Sequence, residues 1–179
     1  MANIINHKEG TPTVFADTTD YSATNSGFTR TDQLDLTSIA NNAARESTKA
    51  DLGALRARLY AVRVGIEYDV SPTAGTTSEF YWSASFSATA AVGNDGDVSG
   101  ADSAFNASSE DEWKKQLIFL GSLINTADAA TTVQYQTVGY FTPPHRYGQV
   151  IVVNKSGQAY EGDAVEMFVA LVPIIDEIQ

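Results

Sequence analysis

The sequence predicts an all-β sandwich, and two observations support that prediction. About seven or eight short apolar or alternating runs are separated by turn-forming residues, a pattern that favours a sandwich over alternating β/α units. Charged residues make up 18% of the chain, below the typical share of about 25%. Thr, Ser, Ala and Asn take their place, as expected where many short strands replace long helices. With 179 residues, the chain is expected to form one domain with a full core.

Residues 1–33 are predicted to form an extended N-terminal arm, and residues 34–179 the sandwich. The arm is rich in Asn, Thr, Asp and Ser, and its apolar residues are isolated and follow no sustained period. Such a segment cannot by itself bury enough apolar surface to offset the entropy lost on ordering. We therefore expect another subunit to hold the arm, the alternative being that it folds back onto its own domain. The predicted partner contacts are the apolar residues of the arm and two basic residues beyond it: Ile4, Ile5, Val14, Phe15, Tyr21, Phe28, Arg45 and Lys49.

The clearest strand pattern lies between Tyr60 and Val70, where large apolar residues alternate with others and so predict one buried and one wet face. The alternation resumes at Phe80 and continues to Ala88, with a Ser-rich outer face expected to meet water. Trp82 lies on the apolar phase and is assigned to the core. Tyr81 lies on the opposite phase and is the better candidate for a surface aromatic.

The second half of the chain adds a helical turn and further strands. Ser109–Glu112 has the capping-box pattern, which predicts a short helix through Lys115. Strands are predicted over residues 116–124 and 131–141. The runs Gln149–Val153 and Val165–Ile174 are predicted to pair as a hairpin, with turn chemistry between them at Asn154–Gly157. The second run is apolar on nearly every residue, which is typical of a strand covered on both sides.

The net charge of −11 is unevenly distributed. Residues 1–70 hold seven Lys or Arg and nine Asp or Glu, whereas residues 71–179 hold four and thirteen. A nucleic-acid-binding surface needs a concentrated positive charge, so direct binding to nucleic acid is not expected. The clustered basic residues between Arg45 and Arg63 form either a solvated face or a face that docks on an acidic partner. There are no cysteines, which excludes disulfides and thiolate zinc sites. No apolar run reaches a membrane span, and the N-terminus has no signal-peptide core, so we expect a soluble protein.

The sequence gives little indication of a catalytic site or a metal-binding site. The two histidines, His7 and His145, have no partner motif for general-base catalysis. Asp95–Gly100 matches the start of a calcium loop, but Asn106 stands where the loop needs a bidentate Glu, so a plain solvated loop is preferred. The acidic residues at 110–112 are explained by the positive end of a helix dipole. We expect no enzymatic activity, no cofactor and no metal.

Several stretches together resemble small virion structural proteins of tailed bacteriophages, of the jelly-roll capsid decoration (cement) type. The similarity covers residues 34–179 and is carried by strand and turn residues: Leu36–Ser47, Leu120–Leu123, Pro143–Pro144, Tyr147–Asn154 and Ser156–Gly157. It implies an antiparallel jelly-roll sandwich, a place on the capsid surface of a phage virion, and the major capsid protein as partner. It also implies a homo-oligomer, expected to be a trimer.

Two other functions remain open from the sequence. The chain could instead be a tail or fibre component of the virion. It could also be a carbohydrate-binding module, because β-sandwiches use exposed aromatic rings to stack sugars. The strand aromatics that suggest this second alternative are Tyr81, Trp82, Tyr135, Tyr140 and Tyr147.

Overall fold

The computed structural model describes residues 5–105 and 110–178. Within these ranges the chain forms two β-sheets that pack face to face. The strands are β1 (Ile5–Glu9), β2 (Thr13–Ala16), β3 (Asp32–Gln33), β4 (Ala44–Glu46), β5 (Ala50–Asp51), β6 (Leu59–Ile66), β7 (Thr77–Ser85), β8 (Ser103–Ala104), β9 (Ile118–Ile124), β10 (Gln134–Phe141), β11 (Tyr147–Lys155) and β12 (Phe168–Ile178), and the helices are α1 (Ala23–Ser26) and α2 (Glu110–Gln116).

The strand order is that of a jelly roll. Sheet A runs β10-β6-β12-β2-β3, with β1 also on β12; sheet B runs β8-β4-β11-β7-β9, with β5 also on β11. The pairs are antiparallel except for β2 with β3, which are parallel. The first long strand, β6, therefore lies beside the last strand, β12. The chain crosses repeatedly between the two sheets, as in a double Greek key. The predicted all-β sandwich is confirmed.

The core lies between the two sheets and follows the alternation seen in the sequence. From β6, Tyr60, Val62 and Val64 point inward, and from β7, Phe80 and Trp82 meet them. Trp82 is fully buried, which confirms its assignment to the core. This inward set has a period of two because successive side chains of a strand point to opposite faces.

The outer face of sheet B is not in water, contrary to the sequence prediction. Ser83 and Ser85 are buried, and the Ser83 hydroxyl donates to the carbonyl of Asp95 at 2.6 Å. Tyr81, predicted to be a surface aromatic, is only 7% exposed and packs edge-on against Trp113 of α2 at 5.5 Å. The reason is the long connection between β7 and β9, which folds back over the sheet and builds a second apolar cluster there.

Strand β12 is covered on both sides, as its sequence predicts. Val169 and Leu171 face the core, and Phe168 faces outward beneath Tyr21 and Phe28 of the segment that follows β2.

The predicted hairpin, however, is wrong: β11 pairs with β4, β5 and β7 in sheet B, whereas β12 pairs with β1, β2 and β6 in sheet A.

The turn between these two strands explains the difference. The Asn154 side chain is buried and donates to the carbonyls of Ile39 and Gln158 at 2.8 and 2.7 Å. Its Oδ1 accepts from the amide of Ser156 at 2.9 Å. These bonds tie the end of β11 to the neighbouring 39–43 segment and direct the chain across the sandwich rather than back along β11.

Strand β2 of the N-terminal segment is built into the sandwich, as in the alternative that the segment folds back onto its own domain. Strand β2 pairs with Val169–Leu171 of β12, and Val14 and Phe15 are buried. The Phe15 ring meets Trp82 edge-on at 6.4 Å. The edge of β12 supplies the hydrogen bonds and the core supplies the apolar contacts that this polar segment lacks on its own. Within the predicted arm, the strand that extends beyond the sandwich is β1.

Candidate functional site

The end of β12 extends beyond the sandwich and forms a two-stranded ribbon with β1. Strand β6 accompanies β12 only as far as the pair Leu59 and Ile174, whereas β1 pairs with it from Ile174 to Ile178. All five residues of β1 are exposed. We call Ile5–Glu9 together with Ile174–Ile178 the ribbon.

Two exposed polar side-chain pairs join the strands of the ribbon. His7 Nδ1 lies 2.7 Å from Asp176 Oδ1, and Lys8 Nζ donates to Glu177 Oε1 at 2.8 Å. Exposed ion pairs of this kind contribute about 0–1 kcal/mol each. The ribbon is therefore held by its backbone ladder and not by a core of its own.

The register determines which backbone groups of the ribbon are free. The amide of Gly10 donates to the carbonyl of Pro173 at 2.8 Å, so the backbone carbonyl of Pro173 points toward the β1 side of β12. Because these groups alternate in direction along a strand, those of Asp176 and Ile178 point away from β1. No strand in the described part of the chain lies on that side, since β6 ends its pairing at Ile174. β12 thus presents an unpaired edge.

A cleft opens on each side of this unpaired edge. The cleft on the inner face, which continues the core side of sheet A, has a volume of about 400 Å³. It is bounded by the loop between β5 and β6 and by the ribbon, and its lining is Thr11, Thr13, Leu52, Leu55, Arg56, Ala57, Arg58, Tyr60, Pro173, Ile174, Ile175 and Asp176. The cleft on the outer face has a volume of about 300 Å³, and its lining is His7, Arg58, Leu59, Thr142, Ile174 and Asp176. The two clefts share Arg58, Ile174 and Asp176.

Apolar side chains are exposed around this edge. Leu55 is 100% exposed and Ile5 59% exposed, and Leu59 and Ile175 are each 38% exposed. Other large apolar residues are exposed elsewhere, such as Phe86 and Phe119, but those do not line the clefts beside the unpaired edge. Exposed apolar surface next to an open strand edge is typical of a protein interaction site.

The predicted partner contacts in the first 33 residues differ in how far they are buried in the structure. Ile5 is exposed on the ribbon and remains a candidate contact, and Ile4 lies outside the described residues. Val14 and Phe15 are buried in their own domain and so cannot contact a partner without unfolding. Tyr21 and Phe28 are partly buried; both pack against Phe168, and the Tyr21 hydroxyl donates to the Phe28 carbonyl at 2.9 Å. The structure uses them to cover sheet A.

Arg45 and Lys49, two further predicted partner contacts, bind groups of their own chain. The Arg45 guanidinium donates to Asp102 at 2.7 Å and lies 3.4 Å from Asp35, and the hydrogen bond to Asp102 raises the pKa of Arg45. The Lys49 ammonium lies within hydrogen-bonding distance of four oxygen atoms of the 85–92 segment. Sequence cannot anticipate this because the acceptors come from distant loops.

Among the described residues, the side chains considered as metal ligands do not form a metal centre. Within residues 5–105 and 110–178, no group of three or more His, Cys, Asp or Glu side chains could hold a metal ion. In the candidate calcium loop, Ser99 donates from both its amide and its hydroxyl to Glu46, and Asn106 lies outside the described residues. His145 is exposed. Among the helices that the structure describes, none is long and apolar enough to cross a membrane.

The chain matches no family model and no curated protein.

Proposed function

We propose that this chain is a non-enzymatic structural subunit of a phage particle, acting as a capsid decoration (cement) protein that stabilises contacts between major capsid subunits. The observation that supports this proposal is the ribbon, which gives a closed sandwich an unpaired strand edge with exposed apolar residues on and beside it. A protein whose surface is otherwise acidic, with a net charge of −11, can dock through such an end and keep the remainder in solvent.

The resemblance in residues 34–179 supports the setting, and the jelly-roll order supports the type of subunit. The exposed ribbon supports the role independently of the fold. The proposal includes self-association, with a trimer as the expected form, because cement proteins of this type clamp neighbouring capsid subunits as oligomers.

The deciding experiment is quantitative localisation. We expect the protein in purified particles at a fixed ratio to the major capsid protein, with density for its ribbon end against the capsid surface by electron cryomicroscopy. A few copies at the tail would instead support the alternative of a tail or fibre component. Absence from particles would overturn the proposal in both forms.

A second candidate function is carbohydrate binding, favoured by exposed tyrosines on the outer face of β10. Tyr135 and Tyr140 are 52% and 64% exposed and lie on the same strand. Tyr135 has a structural role too, because its ring lies over Gly65, where an added Cβ would be 2.8 Å from it. A glycan array with the wild type and Tyr140→Ala tests this alternative: binding lost in the variant would favour it.

A further inference from the structure

We infer that the unpaired edge of β12 is a strand-addition site, which accepts an extended peptide segment of a partner protein as an additional strand of sheet A. This inference rests on the proposed function for its setting, since it specifies how the ribbon end would dock. It rests on the geometry of the described residues for its chemistry.

The first argument is the position of the edge. β6 and β12 are neighbours up to the pair Leu59 and Ile174, after which the chain before β6 turns away at Arg58. No residue that the structure describes pairs at the strand position in line with β6 and beside Asp176 to Ile178. Unpaired amides and carbonyls on a strand edge are a template for another strand.

The second argument is the pair of clefts. Side chains of an added strand would point alternately to the two faces of the sheet. The open position has a cleft on each of those faces, of about 400 and 300 Å³. A strand placed there would direct successive side chains into the inner and outer clefts in turn.

The third argument is the chemistry of the two clefts, which specifies the occupant. The inner cleft offers Leu52, Leu55 and Ile175 and so suits a large aliphatic residue. The outer cleft contains His7, with Asp176 already beside it, and it shares Arg58 with the inner cleft. A carboxylate or hydroxyl from the occupant would complement Arg58. The expected occupant is thus an extended segment in which aliphatic residues alternate with acidic or hydroxyl residues.

Binding can be tested without knowing the natural partner. The probe is a display library of random peptides about eight residues long, selected against the full-length protein. We expect the selected peptides to show aliphatic residues alternating with Asp, Glu, Ser or Thr. The synthetic form of the best peptide should bind, and methylation of its backbone amides at alternate residues should abolish binding.

Two variants locate the site. Asp176→Pro removes the free amide on the open side, a position where an edge strand tolerates proline, and should weaken peptide binding by about tenfold or more, the equivalent of about 1.4 kcal/mol. Asp176→Ala is the matched comparison, because it removes the same contact with His7 but keeps the amide, so the tenfold loss in Asp176→Pro is measured relative to Asp176→Ala. Leu55→Asp changes a fully exposed residue of the inner cleft and should also weaken binding without affecting folding.

The inference is overturned if the selected peptides bind Asp176→Pro and Leu55→Asp as well as they bind the wild type. It is also overturned if the edge proves to be filled by a second copy of this chain, shown by self-association that Asp176→Pro abolishes. Failure of the proposed function is distinguishable, because a protein absent from phage particles can still show the peptide binding described above.

Discussion

Lys49 shows how one side chain can order a long surface loop. Its ammonium lies 2.9 Å from the Ser85 hydroxyl and 3.1, 2.6 and 2.9 Å from the carbonyls of Ser87, Thr89 and Val92. Burial lowers the pKa of Lys49, so the charged form loses some solvation and depends on these oxygen atoms instead.

The first prediction is that Lys49→Met destabilises the protein by about 2 kcal/mol, because hydrogen bonds to a charged group are worth roughly 1.5–3 kcal/mol. Urea denaturation measures the loss, and hydrogen exchange should show faster exchange in residues 86–94 in particular. The control is Lys8→Met, which removes an exposed pair with Glu177 and should cost less than about 1 kcal/mol. Equal losses in the two variants would contradict the role assigned to Lys49.

The second prediction concerns Glu67, which is only 6% exposed. Burial, and then the nearby charges of Glu166, Asp163 and Glu161, raise the pKa of Glu67 above its ordinary value. The folded state therefore holds this proton more tightly than the unfolded state does. The resulting stability is fully present below the unfolded pKa and is lost as the pH rises through the folded pKa.

At pH 7, above the ordinary pKa of a glutamate, Glu67 thus contributes less stability than at low pH, and Glu67→Gln should raise the melting temperature by about 2 °C, the order expected for a small gain in a domain of this size. The difference should shrink as the pH is lowered to about 4, because the raised pKa of Glu67 favours the protonated side chain in the folded state. Melting curves at the two pH values provide the measurement. Glu9→Gln, at an exposed position of β1, should have little effect at either pH. A gain that is the same at pH 4 and pH 7 would show that the charge is not its cause.

Among the elements, β9 and β10 join the two sheets along one edge of the sandwich through a close backbone approach. A Cβ added to Gly139 would lie 2.1 Å from the carbonyl oxygen of Leu120, and one added to Gly121 would lie 2.2 Å from that of Val138. Both strands have irregular pairing here, with register shifts between Thr137 and Gly139 and between Phe80 and Tyr81. Bulges and glycine together let the edges of two sheets meet.

The third prediction follows from this approach. Gly139→Ala should destabilise the protein by about 2–3 kcal/mol, because the neighbouring atom is backbone and cannot move aside as a side chain could. The control is Gly162→Ala, where the nearest atom to an added Cβ is 4.0 Å away, and this variant should be nearly neutral. Chemical denaturation of both proteins gives the comparison. A neutral Gly139→Ala would mean that the strands can separate without cost.

The elements also show what the sequence could and could not predict. The period-two pattern of β6 predicted its inward face, since alternation depends only on local geometry. The predicted pairing of β11 with β12 was wrong. Turn residues such as Asn154 and Gly157 indicate that the chain changes direction, but they do not indicate which sheet the chain enters next. Tyr81 and Ser83 were predicted to be exposed because the residues of β7 do not indicate that the connection between β7 and β9, which includes α2, covers their side of the strand.

The ribbon edge was missed for a related reason. The predicted strand ended at Ile174, whereas a ribbon outside the sandwich can carry charged residues such as Asp176 and Glu177 on both faces. The available signal was Leu55, a large apolar residue in a loop whose neighbours are Gly, Ala and Arg. Val14 and Phe15 were assigned to a partner because an isolated pair of apolar residues cannot reveal whether the core that it joins belongs to its own chain or to another.

At the scale of the whole molecule, residues 5–33 comprise one exposed strand, β1, and two parts that are built into the fold, β2 and the segment that follows it. β1 contributes an exposed ladder on the end of β12. β2 lies inside sheet A between β12 and β3, and its Phe15 is 0% exposed between the two sheets. The segment from 17 to 31 covers the outer face of the same sheet through Tyr21 and Phe28. Function at the ribbon and stability of the sandwich should therefore separate at the boundary between β1 and β2.

The fourth prediction uses two truncations to separate them. Removal of residues 1–9 should leave a cooperative thermal transition within a few degrees of the wild type, because no residue of β1 is buried, and should abolish docking through the ribbon. Removal of residues 1–33 should give an insoluble or unfolded protein. Loss of the Phe15 side chain alone is expected to cost about 3–5 kcal/mol, and the longer truncation also exposes the edge of β12 and the outer face of sheet A.

Scanning calorimetry and a solubility assay on both proteins test the separation. A folded protein after removal of residues 1–33 would show that the sandwich does not depend on β2, and the N-terminal segment would then be an arm after all.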